Sequence, residues 1–213
     1  MHVKICGITS LEDALVAAQA GADFIGLILA DSPRRVPLDE VRRIHALVGE
    51  QPSPVLVFRD APPDDVIAAL DHTGCVWVQL HGRETPADLA ALRSRNPLLR
   101  IIKAFELTGS TGAAEILEYA EAARRAGAPP DVLLLDAPKS GPTPKPQRFV
   151  ELAAQLRPRP AAIWRAGGLT PESVGEVVSS GLFDGVDVAS GVESAPGRKS
   201  VERVRQFVAA ARA

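Results

Sequence analysis

Short apolar runs alternate with longer amphipathic segments along the chain, and the alternation repeats eight times. The apolar runs fall at Val3–Cys6, Asp23–Leu29, Pro54–Phe58, Val76–Leu80, Leu99–Ala104, Asp131–Asp136, Ala161–Arg165 and Phe183–Val188. They are continuous rather than alternating, the pattern of strands buried on both faces in a parallel sheet. The intervening segments predict helices over Leu11–Ala20, Leu38–Val48, Pro63–Leu70, Pro86–Leu92, Ala113–Ala126, Gln147–Leu156, Pro171–Ser179 and Lys199–Ala211. Ser10, with Asp13 three residues on, predicts a capped start. Thr85-Pro86 and Thr170-Pro171 each predict a capping Thr with Pro at the first helical position. Gly21, Gly74 and Gly127 follow predicted helices, where a left-handed residue ends the last turn.

Eight strand–helix pairs with no remainder predict an α/β fold, a (β/α)8 TIM barrel formed as a single domain from residues 1–213. The chain is shorter than the roughly 250 residues usual for that fold. A doubly wound open sheet would not require eight units, and the Gly-x-Gly-x-x-Gly turn that would favour it is missing after the first strand. No linker or low-complexity tract marks a second domain. The proline-rich stretch from Ala137 to Pro146 falls inside the sixth strand–helix connection and reads as a loop.

Composition contributes mostly exclusions. A formal net charge of −2 and an aromatic content of 4% suit neither a nucleic-acid surface nor a base-stacking platform. The two cysteines, Cys6 and Cys75, form no Cys-x-x-Cys and have no His cluster beside them, so neither a zinc site nor a disulfide framework has support. The N-terminal residues lack a signal-peptide core, and every uncharged apolar run is far below the roughly 20 residues of a bilayer span. These features lead us to expect a cytoplasmic protein without membrane or nucleic-acid partners.

In a barrel, chemistry belongs at the C-terminal ends of the strands. Those ends carry Cys6-Gly7, His81-Gly82, Asp136, Gly167-Gly168 and Ser190-Gly191. Taken singly, the Cys could fill core, the Asp could cap a helix and the His could be a satisfied hydrogen-bonding group. Convergence on one rim is what makes them candidates. Glycine-rich loops after the seventh and eighth strands expose backbone N–H groups where barrels commonly bind phosphate. Two tight turns needing positive φ would leave the same trace. The pair together favours a phosphorylated small-molecule ligand.

Longer motifs carry a resemblance. Val3-Lys4-Ile5-Cys6-Gly7-Ile8-Thr9 opens the chain, and Ser32-Pro33-Arg34-Arg35-Val36 and Val78-Gln79-Leu80-His81-Gly82 follow. Leu133-Leu134-Leu135-Asp136, Ala166-Gly167-Gly168-Leu169-Thr170-Pro171-Glu172 and Gly185-Val186-Asp187-Val188-Ala189-Ser190-Gly191-Val192-Glu193 come next, closing with Pro196-Gly197-Arg198-Lys199. Along nearly its whole length the chain resembles the phosphoribosylanthranilate isomerases of tryptophan biosynthesis. The cysteine-containing opening and the final block are the most specific parts.

The resemblance implies an Amadori rearrangement of N-(5-phosphoribosyl)anthranilate to 1-(2-carboxyphenylamino)-1-deoxyribulose 5-phosphate. It implies Asp136 as the general acid that opens the furanose ring and Cys6, as thiolate, as the base at C2. Arg34 would meet the anthranilate carboxylate, His81 would contact substrate, and Gly167, Gly168, Ser190 and Gly191 would hold phosphate. A carboxylic acid that keeps its proton near neutrality needs partial desolvation. A cysteine of ordinary pKa, about 8.5, is only slightly ionised at neutral pH. No metal or organic cofactor is implied, because the substrate supplies its own nitrogen for the iminium. Monomers and homodimers both occur in the family.

The chain departs from the family pattern after Asp136. Where a Gly-Gly-Thr-Gly-type loop is usual, it reads Lys139-Ser140-Gly141-Pro142-Thr143-Pro144. Proline fixes φ and removes an N–H, so a stiffer lid with fewer backbone donors is expected. Ala189 stands where Ser is common. A histidine-pathway aldose–ketose isomerase would use carboxylates at both acid and base positions. A ribulose-phosphate epimerase would need metal-binding His and Asp at strand ends. A barrel that only binds its ligand would have no reason to keep both Cys6 and Asp136.

Overall fold

A computed structural model describes residues 1–49, 51–138 and 144–213. Eight parallel strands close into a barrel in sequence order, with β8 hydrogen-bonded back to β1. The strands are β1 (His2–Cys6), β2 (Phe24–Ile28), β3 (Ser53–Phe58), β4 (Trp77–Leu80), β5 (Arg100–Glu106), β6 (Val132–Asp136), β7 (Ala162–Arg165) and β8 (Gly185–Val188). Helices α1 (Leu11–Ala20), α2 (Leu38–Val48), α3 (Pro63–Thr73), α4 (Pro86–Arg95), α5 (Ala113–Arg125), α6 (Pro146–Gln155), α7 (Val174–Ser179) and α8 (Val201–Arg212) form the outer ring. The expected TIM barrel is therefore present, each strand lying within a residue or two of its predicted run. Among the described residues no helix is long and apolar enough to cross a membrane.

Side chains alternate across each strand, so every second residue enters the barrel. The interior is filled by Phe24, Val55, Ile102, Val132, Leu134 and Trp164, with Trp77 packed against them. Phe24 sits 5.1 Å, centroid to centroid, from both Trp77 and Trp164. Trp164 fits because its neighbour on β8 is Gly185, where an added Cβ would lie 2.6 Å from the indole nitrogen. The outward-facing residues meet the apolar faces of the helices, as Ile25, Leu27, Val41 and Ile44 do. This solid lower barrel is the platform on which the polar upper end rests.

Two local expectations change. Thr170 does not cap α7; residues 171–173 form a turn and the helix begins at Val174. The Thr170 N–H donates to Ser173 Oγ, while the Thr170 carbonyl accepts from the N–H groups of Ser173 and Val174. Such local Ser/Thr bonding competes with helix formation. After β8 the chain makes a 3-10 turn at Ser190–Val192. An antiparallel pair follows, β9 (Glu193–Ala195) with β10 (Arg198–Lys199), turning at Gly197, whose φ is +79°. Lys199 therefore belongs to this hairpin rather than to the last helix.

The predicted caps at Ser10 and Thr85 are present. Thr85 forms a full capping box: Asp88 N–H donates to Thr85 Oγ1 at 3.3 Å, and Thr85 N–H donates to Asp88 Oδ2 at 2.7 Å. Thr85→Ala is expected to destabilise the protein by about 1 kcal/mol, typical for a lost N-cap. The check is a lower urea midpoint with unchanged slope and unchanged activity.

Candidate active site

The C-terminal ends of the strands surround a cavity of about 320 Å³. Its lining includes every residue singled out from the sequence: Cys6, Arg34, His81, Asp136, Gly167, Gly168, Ser190 and Gly191. Cys6 and Asp136 are the inward-facing last residues of β1 and β6, His81 directly follows β4, and the loops bring in the rest.

Beneath Cys6 lies a buried ion pair. Lys4 and Asp187 are register partners on β1 and β8, so both side chains enter the barrel side by side, with Lys4 Nζ 3.0 Å from Asp187 Oδ1. Cys6 is two residues beyond Lys4 on the same face, near enough for the ammonium to favour its thiolate. Space for this approach comes from Gly26, the partner of Cys6 on β2. A Cβ there would lie 2.6 Å from Cys6 Sγ and 3.0 Å from Lys4 Nζ.

Burial pushes the Cys6 thiol above its ordinary pKa, Lys4 draws it back, and Asp187 adds to the rise. Burial likewise raises the Asp187 carboxyl against the pull of Lys4. The Lys4 ammonium is opposed by burial, yet Asp187 and Cys6 hold its pKa above the usual lysine value. Lys4 thus stays charged between two acids that compete for it.

His81 has a comparable support. Gln79, two residues earlier on β4, donates from Nε2 to His81 Nδ1 at 2.8 Å, which leaves the imidazole proton on Nε2. That nitrogen lies 3.1 Å from Asp136 Oδ2, without the alignment of a hydrogen bond. The other Asp136 oxygen accepts from the Ala137 N–H at 2.8 Å. Gly167, with φ +79°, is pressed against this carboxylate, and a Cβ there would collide with Ala137 and Asp136 Oδ1. At Gly191 a Cβ would run into the Leu169 carbonyl, so the two glycine loops are packed on each other. Among the described residues the Gly167 and Gly168 N–H groups have no acceptor.

Arg34 reaches the rim from the β2–α2 loop. The bidentate edge expected to meet a ligand carboxylate is engaged by Glu193, with Nε to Oε1 and Nη2 to Oε2 both 2.7 Å. Nη1 is the nitrogen left for a ligand. Glu193 also accepts from Lys199 Nζ at 3.0 Å, and Lys199 donates to the carbonyls of Cys6 (2.7 Å) and Ala189 (3.1 Å). The hairpin is fastened again by Thr9 Oγ1 to Gly197 O (2.6 Å) and by Lys199 N–H to Asp13 (3.2 Å). One lysine therefore joins the ends of β1 and β8 to the carboxylate that aims Arg34.

Sequence reasoning missed Lys4, Gln79, Asp187, Glu193 and Lys199 as site residues. The first three carried a usable signal, a polar residue inside an apolar strand run. Glu193 and Lys199 act through a hairpin that no local pattern announced. Among the described residues no group of three or more His, Cys, Asp or Glu side chains could hold a metal ion. Of the residues expected to stiffen the lid, Pro142 lies outside the described set, while Pro144 leads into α6.

Residues 3–210 match the family model described as N-(5′-phosphoribosyl)anthranilate (PRA) isomerase. The N-(5′-phosphoribosyl)anthranilate isomerase of Rubrobacter xylanophilus is 42% identical, the match covering 99% of this chain and 98% of the relative. The crystal structure of phosphoribosyl anthranilate isomerase from Thermus thermophilus superposes with a TM-score of 0.83 at 38% identity, covering 99% of this chain and 98% of that one. A phosphoribosyl anthranilate isomerase in complex with reduced 1-(o-carboxyphenylamino)-1-deoxyribulose 5-phosphate gives a TM-score of 0.83 at 28% identity, with 100% and 98% coverage.

The Glu193 carboxyl has a pKa below the ordinary glutamate value: burial pushes it up, but hydrogen bonds from Arg34 and Lys199 more than offset this. A folded-state pKa below the unfolded one stabilises the protein above the unfolded value of 4.5, and that stability is lost as pH falls through the folded value. Melting temperatures of wild type and Glu193→Gln should differ most at neutral pH and converge below the ordinary glutamate range.

Proposed function

The chain belongs to the N-(5′-phosphoribosyl)anthranilate isomerase family, an enzyme of tryptophan biosynthesis, and from this premise we propose how its own residues divide the reaction. The reaction is an aldose–ketose isomerisation of the Amadori type, converting N-(5′-phosphoribosyl)anthranilate to 1-(o-carboxyphenylamino)-1-deoxyribulose 5-phosphate. Substrate and product have the same composition, so the chemistry consists of moving protons between carbon and oxygen. The observation that carries the assignment is the placement of Cys6 and Asp136 at the inward-facing ends of two strands, on one cavity.

Asp136, protonated, gives its proton to the furanose ring oxygen. The C1–O bond breaks toward that oxygen, and the anilino nitrogen supplies the pair that forms the C1=N iminium. The Cys6 thiolate then takes the proton from C2, and the C–H pair becomes the C1=C2 bond of an enolamine as the iminium is neutralised. Tautomerisation gives the ketone. Cys6 needs its thiolate form at this step, and Lys4 is the cation that favours that form. His81, its Nε2 proton directed at the Asp136 side of the cavity, stands where it can meet the opening sugar.

The phosphate is held by the free N–H groups of the Gly167-Gly168 loop with Ser190 and Gly191 from the loop after β8, and the anthranilate carboxylate by Arg34 through Nη1. The substrate is thereby stretched across the barrel mouth between two anchors, with its reacting carbons over Cys6 and Asp136. Binding at both ends converts remote contacts into orientation at the centre.

Turnover of freshly prepared substrate, followed by loss of its fluorescence, tests the assignment. Wild type should be active, and Cys6→Ser and Asp136→Asn should each lower kcat by about 10²–10⁴, the scale of a lost general acid or base. Unchanged kcat in either variant overturns that residue's role.

A further inference from the structure

Arg165 is the charged residue at the end of β7, and it points outward, opposite to Trp164. It is only 5% exposed. Buried charges are normally paired with an opposite charge. Among the described residues no carboxylate bonds to Arg165. Its guanidinium carbon instead sits over the Phe149 ring of α6, 3.4 Å from the ring centroid, and Nη1 donates to the Gly167 carbonyl at 2.8 Å. Burial lowers its pKa to about 10, which leaves it charged at neutral pH.

The Gly167 carbonyl and the Gly168 N–H are opposite ends of one peptide plane, and in a trans peptide they point in opposite directions. Drawing the carbonyl back toward Arg165 therefore turns the Gly168 N–H away from it. Gly168 lines both the site cavity and a smaller cavity of about 260 Å³ that contains Arg165, so the loop is a thin wall between them. Gly167 and Gly168 have φ of +79° and +69°. Successive glycines present little steric barrier to rotation of the peptide between them. Without a fixed partner for the carbonyl, that peptide could turn its oxygen toward the cavity and repel an anion.

We propose that Arg165 is a positioning residue for phosphate binding: clamped on Phe149, it fixes the Gly167–Gly168 peptide so that its N–H faces the ligand. Phe149 lies in the first turn of α6, the helix that follows the loop after β6, so the clamp also ties that helix to the phosphate loop. The guanidinium adds a positive charge behind the loop; Asp136 is the acid near enough to act on it, though no described carboxylate bonds to it. This inference rests on the reading that the substrate phosphate binds between the loops after β7 and β8.

The test compares wild type, Arg165→Met and Arg165→Lys for kcat, KM and competitive inhibition by inorganic phosphate. Arg165→Met should raise both KM and the phosphate inhibition constant about tenfold, the effect of roughly one hydrogen bond, with kcat within about twofold of wild type. Arg165→Lys, which keeps the charge and a donor, should recover part of the loss. KM and phosphate inhibition unchanged in Arg165→Met, or a fall in kcat alone, overturns the proposal while leaving the phosphate site standing. Failure of phosphate to compete in wild type overturns the phosphate site and the proposal together. Should Arg165→Met not fold, Phe149→Leu reads the same clamp: about a threefold rise in the phosphate inhibition constant supports it and no change overturns it.

Discussion

The ion pair between Lys4 and Asp187 is the interaction on which the upper half of this barrel depends. Both side chains are removed from water, and breaking such a pair from one side typically costs about 3–5 kcal/mol. The closed sheet is what makes the pair possible. Register between β1 and β8 places the two residues side by side, and alternation sends both inward. The pair divides a dry aromatic lower barrel from a polar mouth. It also sets Cys6, two residues farther along β1, directly against a cation.

That arrangement gives the thiol a balanced environment rather than a strongly ionising one. Burial and Asp187 favour the protonated form, whereas Lys4 and Lys199 favour the thiolate. On the proposed reading of Cys6 as the base at C2, Lys4 and Lys199 are the groups that oppose the rise set by burial. The same construction recurs around the rim. Gln79 supports His81 from below, Lys199 braces Glu193, and Glu193 orients Arg34. In each of these cases a polar neighbour fixes the direction of a side chain at the cavity.

Much of this was legible in the sequence, for physical reasons that differ by element. Strands such as Val132–Asp136 announce themselves because a parallel sheet covered on both faces demands unbroken apolar runs. Helices such as Pro86–Arg95 declare their starts through the chemistry of orphan N–H groups. Cys6, Asp136 and the two glycine loops could be placed around one cavity because a barrel brings all its strand ends to the same rim. What escaped were relations across space. Lys4 looks like an interruption until β8 closes on β1 and brings Asp187 beside it. The hairpin carrying Glu193 and Lys199 has no periodic signature, and the Thr170-Pro171 start signal was overruled by the local bonding of Ser173.

Lys4, held by Asp187, is the cation that draws the Cys6 thiol most strongly toward ionisation. Titration of thiolate absorbance addresses it directly, in a Cys75→Ser background so that only Cys6 is read, with and without the paired change Lys4→Met, Asp187→Asn. Replacing both partners by neutral side chains avoids leaving either charge buried alone. Loss of the pair should move the Cys6 midpoint to higher pH, since the attraction of Lys4 outweighs the repulsion of Asp187. A midpoint that stays in place or falls would contradict the claim and transfer control of the thiol to Lys199 or to burial alone.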